Sequence, residues 1–208
     1  MQRLCILMLG MAATMILQAG CCQRCQSSPA AQKEQQMIQT AGFVKMKGVP
    51  VQLTGKAVAV GDKAPDFTAV DNDMKTVDSS AYRGKARIML SVPSLDTPVC
   101  NIEARRFNQE AATLGDVKVL VISMDLPFAQ KRWCGTADAK NVRTLSDHRQ
   151  ASFGEAYGVL MKNSRLLARA VFVVDSHDAI RHVEIVDEVT HEPDYAAALA
   201  AARQVAGK

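Results

Sequence analysis

Ala86-Arg87-Ile88-Met89-Leu90-Ser91-Val92, running into Pro93-Ser94-Leu95-Asp96-Thr97-Pro98-Val99-Cys100, is the stretch on which the fold turns. Its first seven residues form an apolar run of strand length, the pattern of a strand buried on both faces of a sheet. Thr97 is a favourable N-cap, Pro98 fits the first helical position and Gly115 fits the stop, so a helix is predicted over Val99–Leu114. Within it Cys100, Ala104, Phe107, Ala111 and Leu114 recur at steps of four and three and share one face. That face is expected to be buried, with Cys100 in a pocket in the first turn. Unsatisfied N–H groups and the positive end of the helix dipole gather there and favour a thiolate, the nucleophilic form of cysteine. Apolar burial works against the charge, so a nearby cation would help decide the matter.

The same alternation extends along the chain. Phe43–Leu53 reads as a hairpin turning at Lys47-Gly48-Val49-Pro50, and Gly61–Phe67 as a loop leading into a short strand, Phe67–Val70. Val117–Met124 and Ala168–Val174 repeat the buried-strand pattern, and Ile180–Val189 forms a further strand. Helical stretches are expected at Phe128–Cys134 and Ala151–Tyr157, with an alanine-rich closing helix at Asp194–Val205. Strand and helix alternate, so the class is α/β, in one domain over residues 43–208.

Of the 208 residues 48% are apolar and 22% charged, a balance that excludes a disordered chain. Lys and Arg number 25 against 21 for Asp and Glu, and Arg3, Arg24 and Lys33 lie in the first 42 residues. The remainder is close to neutral and lacks the basic face that nucleic-acid binding requires.

Four of the six cysteines fall in the first 25 residues, leaving only Cys100 and Cys134 in the domain. Two cysteines are not a disulfide scaffold. Cys22 and Cys25 have the spacing of a redox or metal pair but lack a preceding strand, a following helix and a second ligand pair. His148, His177, His182 and His191 show no metal-ligand spacing, so no metal site is expected. On residue type alone Cys100 could be a small core hydrophobe. Thr97, just ahead of the thiol, and an exported location argue for chemistry instead.

Pro93-x-x-x-Thr97-x-x-Cys100 resembles the peroxiredoxin active-site pattern, and Gly61-x-x-Ala64-Pro65-x-Phe67 resembles that family's opening. Asp125–Gln130, Arg132–Gly135, Ala168–Val171 and Val186–Glu188 are similar to its thiol peroxidase branch, the atypical two-cysteine peroxiredoxins. The resemblance implies a thioredoxin-like fold, with a central mixed sheet flanked by helices and an N-terminal hairpin. It also implies reduction of hydrogen peroxide and organic hydroperoxides without a cofactor. By position it makes Cys100 the peroxidatic cysteine and Cys134 its resolving partner in an intramolecular disulfide. Thr97 offers a hydroxyl to thiolate and peroxide, Arg169 supplies the cation and Pro93 shapes the pocket. A thioredoxin-like reductant and a homodimer are implied as partners.

The bland alternatives are that Thr97 only caps, that Arg169 is a surface ion-pair residue and that Cys100–Cys134 is a static bridge. Trp133 reads as an apolar anchor for the helix carrying Cys134. That helix and the pocket of Cys100 are expected to unwind, one or both, before the sulfurs can bond. A protein thiol–disulfide oxidoreductase is disfavoured because Asn101, Ile102 and Glu103 follow Cys100 where a second cysteine is usual. A non-enzymatic surface lipoprotein is disfavoured by the presence of Pro93, Thr97, Cys100 and Arg169 together.

Before the domain, Arg3 precedes an apolar run, Leu4–Leu17, of signal-peptide length. Leu17-Gln18-Ala19-Gly20-Cys21 resembles a bacterial lipoprotein signal cut before a lipid-bearing cysteine. Residues 1–20 are therefore read as a signal, Cys21 as the lipid attachment point, and 21–42, with six glutamines and no aromatic residue, as a flexible tether. Export to the periplasm or cell envelope, with anchoring to a membrane through the lipid, is the expectation.

Overall fold

The strands expected at Ala86–Val92, Val117–Met124 and Ala168–Val174 are all present, trimmed by one or two residues at an end. A computed structural model describes residues 40–206. The signal, Cys21, Cys22, Cys25 and nearly all of the expected tether lie outside these residues.

In chain order the elements begin with β1 (Thr40–Met46), β2 (Val49–Thr54), β3 (Thr68–Val70), β4 (Thr76–Asp78), a 3-10 turn (Ser79–Tyr82) and β5 (Arg87–Ser91). Next come α1 (Pro98–Ala111), β6 (Lys118–Ser123), α2 (Pro127–Ala137), β7 (Val142–Ser146) and α3 (Ser152–Ala156). The chain continues with β8 (Leu160–Met161), β9 (Ala170–Val174), β10 (Ile180–Ile185) and α4 (Tyr195–Ala206). A seven-stranded sheet has the order β10-β9-β5-β6-β7-β3-β4, with β5, β6 and β7 parallel and the outer strands antiparallel. The hairpin β1–β2 pairs with β8 in a second, three-stranded sheet. Lys47 (φ 51°) and Gly48 (φ 79°) make its two-residue turn, where positive φ at both positions matches the twist of the strands.

Alternation along β5 and β9 divides the core. Ile88, Leu90, Val171 and Val173 pack against α1, α2 and α4, together with Cys100, Phe107 and Trp133. Met89, Phe172 and Val174 face the other way, onto Phe67, Phe153, Tyr157 and the hairpin residues Val44 and Leu53. The central strands are thus covered on both faces, as their continuous apolar runs require.

Several boundaries differ from the sequence reading. β1 begins at Thr40, inside the expected tether. β7 was not anticipated: it holds two apolar residues, Val142 and Leu145, and its buried Thr144 and Ser146 are polar. β4 and β8 are too short to show a period. β10 stops at Ile185 rather than Val189 because the chain turns to meet the hairpin, where Val189 N–H donates to the Lys45 carbonyl. Helix α1 ends at Ala111, three residues early, and Leu114 is buried beyond it.

Candidate active site

Strand β5 delivers the chain to Val92, and Pro93–Thr97 carry it into α1, so Cys100 sits at the C-terminal ends of parallel strands. Asp125, just past β6, shapes that crossing. Its carboxylate accepts from the Ser94 hydroxyl (2.7 Å), the Leu95 N–H (2.8 Å) and the Ser123 hydroxyl (2.8 Å). Pro93 is buried beneath the crossing. Thr97 occupies the N-cap position with extended backbone, but its hydroxyl donates to the Ser94 carbonyl (2.9 Å) and is exposed. The expectation of a side-chain cap is corrected here: the tight Ser94–Thr97 turn offers a nearer acceptor.

Cys100 is fully buried in the first turn of α1. Arg169, at the approach to β9, is 1% exposed and is not a surface ion-pair residue. Its guanidinium fork is shared three ways. Nε donates to the Val189 carbonyl (3.0 Å), Nη1 to the Glu103 carboxylate, and Nη2 to Cys100 Sγ (3.4 Å). The cation that the sequence reading called for is therefore in place. Desolvation works against its charge, but Glu103 and Cys100 outweigh it and push the guanidinium pKa up. Glu103 is as buried as the cysteine, and desolvation pushes its carboxyl up to about 7 against the pull of Arg169. Its Oε1 has no hydrogen-bond partner among the described residues.

Cys134 lies on α2, half-buried, and neither cysteine is in a disulfide. Its sulfur is in contact with Asn72 (3.6 Å) and Thr144 (3.3 Å). Trp133 beside it is 5% exposed, an apolar anchor as expected, and its indole N–H donates to Asn101 Oδ1 (2.9 Å). Arg169 leads into β9 while Thr144 is in β7, three strand steps away, roughly 14 Å at ~4.8 Å per step. The two sulfurs are thus held by different residues from different parts of the sheet.

The structure brings Cys100, Arg169 and Pro93 to one end of the sheet, with Thr97 at the N-cap of α1 and Cys134 on the adjoining helix. Sequence reasoning missed Glu103, Asn101, Asn72, Thr144 and the structural role of Asp125. Glu103 carried a usable signal: three residues after Cys100, it falls on the face predicted to be buried. Asn72 and Thr144 carried none, since only the fold brings them to α2. Among the described residues no group of three or more histidines, cysteines or carboxylates could hold a metal ion.

A buried thiol at a helix start, facing an arginine at the C-terminal ends of parallel strands in a mixed sheet flanked by helices, is an arrangement suited to thiol chemistry. A family model described as Redoxin matches residues 59–199. The thiol peroxidase of Halalkalibacterium halodurans is 52% identical over 160 residues, covering 77% of this chain and 96% of its own. That of Bacillus subtilis is 51% identical over 160 residues with the same coverage. Among solved structures, a peroxiredoxin-like protein from Aquifex aeolicus superposes with a TM-score of 0.75 at 39% identity, over 80% of this chain and 99% of that one. A thiol peroxidase from Chromobacterium violaceum, at 18% identity and a TM-score of 0.72 over 78% and 95% of the chains, shares the fold. The chain belongs to the redoxin family, in the thiol peroxidase branch of the peroxiredoxins. It is a thiol-dependent peroxidase.

Proposed function

We propose that Cys100 is the peroxidatic cysteine and Cys134 the resolving cysteine. The observation that carries this reading is the Arg169 guanidinium 3.4 Å from a fully buried sulfur at a helix N-terminus. Cation and helix start both favour negative charge on that sulfur. The thiolate attacks the terminal oxygen of a hydroperoxide, so that an S–O bond forms and the O–O bond breaks. The leaving oxygen departs, once protonated, as water or alcohol. Arg169, with spare donor capacity in its fork, steadies charge on sulfur and peroxide. Thr97 turns its hydroxyl from the Ser94 carbonyl to the peroxide, and buried Pro93 keeps water from the pocket. Cys134 then attacks the sulfenic acid, and a thioredoxin-like dithiol reopens the disulfide by exchange.

Stopped-flow oxidation of the reduced protein by cumene hydroperoxide, followed by Trp133 fluorescence, tests the assignment. Cys100→Ser abolishes the reaction. Cys134→Ser consumes one equivalent of peroxide and stalls. A Cys100→Ser variant that still reacts at the wild-type rate would sink the assignment.

The reading extends to a homodimer, supported by the family resemblance and by the exposed side chains of Ile102, Leu126 and Phe128 near the starts of α1 and α2. Sedimentation of the reduced protein tests it. It extends also to export and lipid attachment at Cys21, supported by Arg3, the apolar run Leu4–Leu17 and the small residues Ala19 and Gly20. In an exported protein the reductant is a dithiol donor outside the cytoplasm. Incorporation of labelled fatty acid that is lost in Cys21→Ser tests the anchor.

A further inference from the structure

Two side chains close a hydrogen-bonded ring on the sulfur of Cys134. Asn72 Nδ2 donates to Sγ at 3.6 Å, Thr144 Oγ1 donates to Asn72 Oδ1 at 3.1 Å, and Thr144 Oγ1 lies 3.3 Å from Sγ. A hydroxyl has one proton. With that proton on Asn72, the third side of the ring is complete only if sulfur donates to Thr144. Turning the carboxamide end for end reverses the sense of the ring and again requires a proton on sulfur. With the Thr144 hydroxyl turned to the sulfur instead, both side chains donate to Sγ, so in every arrangement Cys134 is held by two neutral partners.

The ring draws on three separate elements: α2, β7 and the turn between β3 and β4. That turn is itself braced. Asp71 accepts from the Asp73 and Lys75 N–H groups, Arg143 of β7 pairs with Asp71, and Lys131 of α2 pairs with Asp73. Asn72 is thus presented to α2 by contacts that do not involve Cys134, and nothing in peroxide reduction at Cys100 accounts for it.

We propose that Asn72 and Thr144 form a seat for the resolving cysteine, holding Cys134 docked on α2 until Cys100 has been oxidised. The proposal rests on Cys134 being the resolving cysteine. In the resolving step the Cys134 sulfur attacks the sulfenic sulfur of Cys100: the S–S bond forms, the S–O bond breaks, and the thiol proton leaves with the hydroxide as water. No outside electron is needed. Cys134 has to leave the ring to reach Cys100, so the ring stabilises the dithiol form relative to the disulfide. Asn72 and Thr144 are positioning residues, acting through Cys134.

The test is stopped-flow oxidation of the full chain by cumene hydroperoxide, read by Trp133 fluorescence. A phase proportional to peroxide concentration reports on Cys100, and a concentration-independent phase reports on disulfide formation. Thr144→Val keeps the buried shape without the hydroxyl, and Asn72→Ala removes the amide from a half-buried turn without touching the core. Both are expected to speed the second phase about fivefold, the weight of one ordinary hydrogen bond net of solvation, and to leave the first phase in place. Thr144→Ser returns the hydroxyl and restores the slower second phase. In a dithiol redox buffer the Val and Ala variants shift the disulfide equilibrium fivefold towards oxidation, about 20 mV more negative in potential. A ring that merely supports the fold lowers the melting temperature but moves neither the second phase nor the potential, and that result overturns the proposal. A slower second phase overturns it too. Persistence of the second phase in Cys134→Ser overturns the assignment of Cys134 itself, and the seat with it.

Discussion

Replacing Arg169 by methionine, alone and together with Glu103→Leu, separates the stability of the site from its reactivity. The guanidinium holds Val189, Glu103 and Cys100 at once and is 1% exposed. Its removal strands a fully buried acid, one of whose oxygens already lacks a partner among the described residues, so that Glu103 must keep an unpaired charge or take up a proton. Deleting one member of a buried ion pair costs about 3–5 kcal/mol, whereas replacing both by apolar side chains is close to neutral. In a domain of this size 1 kcal/mol is roughly 2–4 °C in melting temperature, so R169M melts roughly 10 °C low. The double variant R169M/E103L recovers most of that loss.

Reactivity does not return with it. A cation 3.4 Å from a thiolate attracts it by about 5 kcal/mol at an effective dielectric of ~20, before desolvation and the opposing charge of Glu103 are counted. Those opposing effects leave the smaller figure for one charge-assisted hydrogen bond, about 1.5–3 kcal/mol, as the better guide. At about 1.4 kcal/mol per decade this is roughly tenfold to a hundredfold in the rate constant for peroxide. Thermal unfolding and stopped-flow oxidation of the wild type and both variants measure the two effects separately. A double variant no more stable than R169M would refute the ion-pair argument. Wild-type peroxide kinetics in either variant would refute the role of the cation.

Arg87 pairs with Asp178 (2.7 Å) and also donates to the carbonyls of Tyr82 and Lys85, at the end of β5 remote from Cys100. Arg87→Met is therefore expected to cost about 3 kcal/mol in urea unfolding and to leave the peroxide reaction unchanged. Burial pushes Glu103 up to about 7 and Asp147 up to about 6, so the folded chain holds protons that the unfolded chain, with carboxyls near 4, has released. Their contribution to stability is fully present below pH ~4 and is lost as pH rises to about 7, which urea midpoints at about pH 5 and about pH 8 measure, and Glu103→Gln flattens the slope. Asn101→Leu deprives the Trp133 indole and the Arg105 guanidinium of a shared acceptor. The cost is about 1–3 kcal/mol, and Trp133 emission shifts to the red as water reaches the loosened α2. Unchanged emission and melting would count against that docking role.

The face of α1 that buries Cys100 was legible because it obeys a local rule: Cys100, Ala104, Phe107, Ala111 and Leu114 keep helical spacing, and all five are buried. The central strands were legible for the same reason, as continuous apolar runs. What escaped depends on partners far along the chain. Glu103 finds Arg169 66 positions away, and Thr144 finds Asn72 72 positions away. No window of sequence shows that a buried acid or hydroxyl will be satisfied by such a partner. β7 went unread on this account, since its buried Thr144 and Ser146 look like exposed residues until Asn72 and the Asp125 carbonyl are set beside them. Arg169 and the resolving role proposed for Cys134 rest on the family pattern, because neither carries a local signal of its own.

Cys100 and Cys134 are chemically the same side chain, and the structure distinguishes them by the charge around each. Cys100 is fully buried, at a helix start, with a guanidinium against its sulfur. Cys134 is half-buried, and its sulfur is hydrogen-bonded to a neutral amide and a neutral hydroxyl. The thiolate is the nucleophile towards peroxide, so on the proposed assignment the difference sets the order of events: Cys100 is oxidised first and Cys134 waits. It also bears on mechanical cost. Neutral hydrogen bonds to a half-exposed group are weaker than a buried charge-assisted one, so the contacts of Cys134 are the cheaper set to release. A chain that placed both sulfurs beside cations would have no such order, and peroxide would compete for the thiol meant to resolve the sulfenic acid.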